Sequence, residues 1–333
     1  MWCLLVKALL LHAPYTASIS EVETPSPPSG WVLVKTLAVG ICGTDKAFYT
    51  GRYPLFKKPL IPGHEVVGVV VSPGVLEGHV VVSEINFSCN KCYYCRLGLY
   101  THCPHKRTLG IDFDGGFAEY FIAPSTALHV VEGVDPVIAT QVEPLAAVLN
   151  ALEQHSVSPV SRVAVIGTGN LAHLTVQVLR ACGVEPVVIA RRSSKKTHYF
   201  TSLGVEIVFE DELAEYVKNR TPEGLGFDVV FEVSGDPRAL DTAITITRPR
   251  GVVHLKSTPG EPFTVNMTRA VVKELRVIGT RCGGFREFKR AIELIKSGVV
   301  KPTVTTIYEG IERSVEAFEK SLRGEDLKIV VKI

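Results

Sequence analysis

The stretch SRVAVIGTGNLA, Ser161 to Ala172, decides the fold of the second domain of this chain. An apolar run, Arg162 to Ile166, ends in Gly167-Thr168-Gly169-Asn170-Leu171-Ala172, and Leu171, Leu174, Val178 and Ala181 then repeat at helical spacing. A buried strand entering a tight turn and then a helix is the setting in which G-x-G-x-x-A has meaning as a dinucleotide fingerprint. Gly167 permits the turn, Gly169 lets backbone approach a pyrophosphate, and Ala172 packs helix on strand. The helix start at Asn170 and Leu171 offers free N–H groups to the phosphates.

Working outward, apolar strands alternate with helical patterns at Pro186 to Ala190, Glu206 to Phe209, Asp228 to Val233, Gly251 to Lys256 and Leu275 to Thr280. With the first strand they predict a doubly wound parallel α/β sheet. After the second strand the sequence reads Ala190-Arg191-Arg192-Ser193-Ser194-Lys195-Lys196, with no carboxylate for a ribose 2′-hydroxyl. Arg191, Arg192 and Lys196 would neutralise a 2′-phosphate instead, so NADP(H) is expected over NAD(H). Before Pro159 the texture differs. Short β-like runs at Trp31 to Val39, Glu65 to Val71, His79 to Ile85 and Phe117 to Ala123 predict a β-rich lobe. The tail, with helices at Phe285 to Ser297 and Ile311 to Leu322 and strands at Val304 to Tyr308 and Lys328 to Ile333, is expected to return to it.

Within the β-rich part, Cys89, Cys92, Cys95 and Cys103 sit in CNKCYYCRLGLYTHC. That spacing predicts a closed four-thiolate zinc site, in preference to an iron–sulfur cluster or two disulfides. Clustered thiolates fit a reducing cytoplasm, and Cys3, Cys182 and Cys282 read as ordinary buried thiols. The formal charge of +2, from 36 Lys+Arg against 34 Asp+Glu, recommends neither nucleic acid nor an acidic membrane as partner. A small molecule is the expected partner. The opening MWCLLVKALLLHAPYTAS reads as a buried strand rather than a signal peptide, because Lys7 interrupts the apolar run and no basic region precedes it.

Three further motifs stand apart in sequence: Gly40-Ile41-Cys42-Gly43-Thr44-Asp45, Pro62-Gly63-His64-Glu65-Val66-Val67-Gly68, and Val142-Glu143-Pro144-Leu145. With the four cysteines and the glycine turn, in this order over nearly the whole chain, they resemble the zinc-dependent alcohol and polyol dehydrogenases of the medium-chain dehydrogenase/reductase superfamily. The resemblance implies a GroES-like catalytic domain, residues 1–143 and 283–333, and a Rossmann domain, residues 144–282, with a catalytic zinc in the cleft between them. It implies Cys42 and His64 as two zinc ligands and Glu143 as the third, with Glu65 an alternate; the choice between the glutamates stays open. Asp45 is expected to bond the far nitrogen of His64, and Thr44 to pass the alcohol proton outward.

Many relatives carry a His three residues after that hydroxyl, where this chain has Ala47. His12, His129 and His155 read as surface or packing residues. Phe48, Ile85, Leu109 and Phe113 suggest an apolar substrate wall. The expectation is an oxidoreductase with two zinc ions per chain, moving a hydride between NADP(H) and an alcohol/carbonyl pair, and assembling as a homodimer or homotetramer near Leu275 to Thr280. The alternative is a non-catalytic NADPH-binding or redox-sensing protein of the same fold. A pure sensor needs none of Cys42, Thr44, His64 and Glu143.

Overall fold

The computed structural model describes residues 5–260 and 262–333, which form two compact units. Among the described residues, one comprises 5–146, 282–298 and 302–333, the other 147–260, 262–281 and 299–301. Cys3 lies outside the described residues.

The first unit opens with the hairpin β1 (Leu5–Ala13) and β2 (Thr16–Glu23). Val6, Ala8, Leu9 and Leu11 of β1 are buried while Leu5 is exposed. The long strand β3 (Trp31–Gly40) follows, then β4 (Glu65–Val70), β5 (Val80–Ser83), the short pair β6 (Asn86–Phe87) and β7 (Arg107–Thr108), then β8 (Tyr120–Pro124) and β9 (Leu128–Val130). The second unit contributes β10 (Val163–Ile166), β11 (Val187–Ala190), β12 (Glu206–Phe209), β13 (Phe227–Glu232), β14 (Thr247–Leu255) and β15 (Arg276–Gly279). The tail adds β16 (Thr306–Glu309) and β17 (Ile329–Lys332) to the first.

The tail is built into the first unit's sheet, whose order is β16-β17-β3-β4-β5-β9 with β8 also on β3. Strand β17 lies antiparallel to β3, with Val330 opposite Gly40. On the other side of β3, Gly40 faces Glu65 of β4. The last strand of the chain therefore borders the segments that carry Cys42 and His64.

The second unit is a six-stranded sheet in the order β12-β11-β10-β13-β14-β15, with every neighbouring pair parallel. Its central strands are continuous apolar runs because both faces are covered. Ala164, Ile166, Val187, Ile189, Val230 and Val253 join one core cluster. Their neighbours in sequence, Val163, Val165, Val188, Val229 and Val252, join another. That alternation assigns the clusters to opposite faces of the sheet.

The helix Asn170–Ala181 follows the glycine turn, but its sheet-facing stripe is not the one the sequence suggested. Ala172, Val176 and Leu179 pack into the core cluster with β10, and Ala181 is exposed. Leu174 and Val178 are buried as well, so the helix is apolar on more than one side and periodicity alone misplaces its inner face. No described helix is long and apolar enough to cross a membrane.

Candidate functional sites

In the four-cysteine lobe, Cys92 caps the short helix Tyr93–Arg96, and Cys103 ends a single turn at Tyr100–His102. The four sulfurs lie within 4.8 Å of one another. Cys92 Sγ is 3.5 Å from Cys95 Sγ and 3.8 Å from Cys103 Sγ, and all four cysteines are free of disulfides. A tetrahedron with zinc–sulfur bonds of ~2.3 Å has edges of about 3.8 Å, so the donor set is close to the spacing zinc requires. The N–H groups of Lys91 and Cys92 pull the Cys89 thiol down to about 6. Burial, with the neighbouring sulfurs, pushes Cys95 up to about 11. Crowded thiols of such unequal acidity are poorly served by protons and well served by one divalent cation.

The other candidate metal centre in this unit is assembled by strand register. Strand β3 ends at Gly40, and two residues later Cys42 caps the helix Gly43–Thr50. Because Gly40 faces Glu65, His64 stands beside that turn. Asp45 fastens the two segments: its carboxylate accepts hydrogen bonds from the N–H of Cys42 at 2.8 Å and of Gly63 at 3.2 Å. These bonds correct its expected role. Asp45 Oδ1 is 3.8 Å from His64 Nδ1, too far for the predicted hydrogen bond, because the carboxylate is spent on the two backbone amides. His64 is buried, and its Nδ1 has no hydrogen-bond partner.

Burial alone would lower the His64 pKa, but the charges of Asp45, Cys42 and Glu143 outweigh it and raise the pKa well above the usual value. Burial likewise raises Asp45, against the attraction of His64 and its backbone bonds. Glu143 sits buried in the first turn of the helix Val142–Gln154. A thiol, an imidazole and a carboxylate form a donor set suited to zinc.

Glu65 is engaged elsewhere. Its carboxylate forms a buried ion pair with Lys328, whose ammonium also donates to the Ile41 carbonyl at 3.1 Å. Gly40 makes the space: a Cβ there would lie 2.4 Å from Glu65 Oε2 and 2.8 Å from Lys328 Cε. Sequence reading missed Lys328, which stands 287 positions from Ile41 and carries no local signal. The proposed apolar wall is also corrected. Phe48 and Leu109 are fully buried within the hydrophobic core and have no surface to offer a ligand. Among the remaining cysteines, Cys282 is buried beside Asn86 Nδ2 at 2.8 Å, whereas Cys182 is exposed at the end of the helix Asn170–Ala181.

In the second unit the glycine turn follows β10 at the centre of the sheet, where strand order reverses. Gly167 has φ 123°, and a Cβ on it would lie 2.9 Å from Ser234 Cα, so the turns after β10 and β13 touch there. Gly169 caps the helix with nothing within 4 Å of its Cβ position, leaving the N-terminus of the helix open to a ligand. Thr168 Oγ1 lies 2.8 Å from Ser194 Oγ, joining the glycine turn to the basic turn after β11. Arg192 is less available than its position in sequence suggests. It donates to Asp211 at 2.7 Å, pairs with Glu212, and lies over the Phe209 ring at 4.5 Å. Arg191 is exposed, with a long contact to Asp236 at 3.9 Å as its one ion pair among the described residues.

Two family models match the chain: the alcohol dehydrogenase GroES-like domain over residues 28–133 and the zinc-binding dehydrogenase over residues 171–297. The L-threonine 3-dehydrogenase of Pyrococcus horikoshii is 33% identical over 95% of this chain and 95% of its own. The chain belongs to the zinc-dependent alcohol and polyol dehydrogenases of the medium-chain superfamily. As a member it is an alcohol-type oxidoreductase acting on a small molecule with zinc and a nicotinamide cofactor. Solved relatives carry both forms of the dinucleotide. A short chain alcohol dehydrogenase of Escherichia coli CFT073, complexed with NADH, is 25% identical over 99% of each chain with a TM-score of 0.87. A Sinorhizobium meliloti 1021 protein bound to NADP is 27% identical over 99% of this chain and 100% of its own, also at 0.87.

Proposed function

We propose that this medium-chain dehydrogenase prefers NADP(H) and moves a hydride between the cofactor and an alcohol/carbonyl pair of alcohol, polyol or sugar type. Cys42, His64 and Glu143 would hold the catalytic zinc, and Cys89, Cys92, Cys95 and Cys103 a second, structural one. The observation that carries the catalytic assignment is the buried ion pair of Glu65 with Lys328, which occupies the competing carboxylate. Zinc, when bound, supplies a Lewis acid that polarises the substrate oxygen and lowers an alcohol's pKa. Thr44, in the first turn after Cys42, supplies the hydroxyl that takes the alcohol proton. Ala47 offers no acid–base group, so the proton would have to leave by the ribose of a bound cofactor and water or by another group.

Zinc content and turnover of Glu143→Ala and Glu65→Ala separate the two carboxylates. Glu143→Ala is expected to lose one zinc and all turnover, while Glu65→Ala keeps its metal. Metal loss confined to Glu65→Ala would reverse the assignment. Full zinc loading and NADPH binding without turnover of any carbonyl compound would favour a non-catalytic protein.

The cofactor preference rests chiefly on Arg191, since Arg192 is already neutralised by Asp211 and Glu212. One charge-assisted contact to a 2′-phosphate is worth on the order of 1.5–3 kcal/mol, or roughly ten- to a hundredfold in kcat/KM over NAD(H). Arg191→Asp should invert that preference, because a carboxylate repels the phosphate and accepts the free 2′-hydroxyl. Equal kcat/KM for the two cofactors in the wild type would sink it. A homo-oligomer paired through the free edge of β15 is part of the same proposal.

A further inference from the structure

Three turns meet at one end of the second unit's sheet. The glycine turn after β10 touches the turn after β13 at Gly167 and Ser234, and its Thr168 bonds Ser194 of the basic turn after β11. A dinucleotide lies in the crevice outside the carboxyl ends of such strands, so all three turns border its path. The third turn, Ser234 to Arg238, carries charges that the glycine fingerprint does not call for. Glu232 Oε1, at the end of β13, accepts from the N–H and the hydroxyl of Ser234 at 2.9 and 2.6 Å, and Ser234 Oγ accepts from the Asp236 N–H at 3.0 Å. Asp236, placed in this way, grips Arg238. Its Oδ1 accepts from the Arg238 backbone N–H at 2.9 Å and from Nε at 3.1 Å, and its Oδ2 from Nη2 at 2.8 Å. The same Oδ2 is the oxygen that lies 3.9 Å from Arg191 Nη1.

Charge balance separates this cluster from Arg192. There two carboxylates, Asp211 and Glu212, share one guanidinium. At Asp236 two guanidiniums share one carboxylate, which leaves positive charge in excess, and the side chains of Arg191 and Arg238 are 61% and 84% exposed. An ion pair so exposed adds little to stability, so its consequence is the place at which it holds Arg238. We propose that Arg238 is the second arginine of a 2′-phosphate site, held beside Arg191 by Asp236, and that two guanidiniums from two different turns read the phosphomonoester of an NADP-type cofactor. The inference rests on the cofactor reading above and deepens it, because that reading has Arg191 as its chief contact. Two guanidiniums gathered about one oxygen can both reach the oxygens of a single phosphate, and a dianion accepts from both where a 2′-hydroxyl cannot.

The test uses two fragments that differ only in the 2′-phosphate, 2′,5′-ADP and 5′-AMP, titrated calorimetrically into the full chain, with NADPH and NADH followed by fluorescence. Arg238→Leu should weaken 2′,5′-ADP by roughly tenfold or more and leave 5′-AMP where it was. Loss of Arg238 also frees Asp236 to neutralise Arg191, so the deciding variant is Asp236→Asn/Arg238→Leu, which keeps the wild type's net charge at the site. If 2′,5′-ADP still binds that variant roughly tenfold more weakly than the wild type, the contact belongs to Arg238 itself, and Arg238→Lys should recover part of it. Wild-type affinity in the double variant, or equal losses for the two fragments in Arg238→Leu, overturns the proposal. If the wild type favours NADPH and Arg238→Leu favours it to the same degree, the Arg238 assignment fails while the NADP(H) reading stands. If NADPH and NADH bind alike yet 2′,5′-ADP depends on Arg238 as described, the assignment stands and the preference fails. If the wild type binds the two fragments alike, both fail.

Discussion

In the four-cysteine lobe every donor comes from residues 89–103 and the sulfurs lie within 4.8 Å of one another, whereas Cys42, His64 and Glu143 come from three separated segments and are not among the groups gathered that tightly. Around the lobe the chain supplies little besides backbone N–H groups and short turns, with Tyr93, Leu97 and Tyr100 exposed beside it. Around the Cys42 turn it supplies buried charge: Asp45 on two amides and Glu65 on Lys328. A lobe of that kind would depend on a structural zinc for its folding. The centre depends on the sheet: Cys42 and His64 are placed by the register of β3, β4 and β17, while Glu143 comes from the helix Val142–Gln154.

Removing one donor from each site tests that contrast most severely. Cys103→Ser should cost the lobe its metal and with it much of the ~10 kcal/mol or more that a structural zinc contributes. Zinc content should drop by one ion per chain, and protease cleavage within residues 89–103 should accompany a lower melting temperature. Cys42→Ser should also lose one zinc, yet keep the melting temperature within a few degrees, since the β3–β4 register survives without it. Equal thermal losses in the two variants would break the comparison.

A smaller but still large effect is expected where the centre is held by charge. Lys328→Met leaves Glu65 buried without its cation, which should destabilise the protein by about 3–5 kcal/mol. The double variant Lys328→Met/Glu65→Leu should recover most of that loss, because removing both charges also removes the desolvation cost. The denaturant midpoint is the measurement. A double variant no better than Lys328→Met would mean that Lys328 acts through the Ile41 carbonyl rather than through Glu65.

The same distinction between local and distant causes explains what the sequence made legible. The parallel sheet was readable because its strands are buried on both faces; Glu206 to Phe209 is β12 as expected, and the six strands fall within a few residues of their apolar runs. The cysteine lobe was readable because its whole geometry lies in one loop. The partners of the charged residues were not. Nothing near Glu65 announces Lys328, nothing near Arg192 announces Asp211 and Glu212, and a two-residue strand pairing decides that Leu109 enters the core rather than a pocket wall. In each case the deciding contact is made by tertiary packing between segments far apart in sequence.

Histidine burial in the second unit sharpens the comparison at its smallest scale. His64 is buried among anionic groups and its pKa is raised, while His254, fully buried on β14 and stacked on Phe231 at 4.5 Å, has none and is lowered to about 4, chiefly by burial and then by the charges of His155 and Lys256. His173, buried in the helix Asn170–Ala181, is likewise lowered by burial to about 4. Each of these two is neutral in the folded protein at a pH where the unfolded chain, with a histidine pKa near 6.5, already binds a proton. The unfolded state therefore carries more protons between about pH 6.5 and 4, and stability rises with pH across that window. It is fully present above about 6.5 and lost on acidification toward 4, by an amount on the order of 3 kcal/mol for a histidine as deeply buried as His254. His254→Phe should keep the stack on Phe231 and flatten this part of the profile, so that the variant gains on the wild type as the pH is lowered from 6.5 to 4.5. Unfolding midpoints of the two proteins over that range decide the matter, and parallel profiles would show that His254 does not titrate with folding.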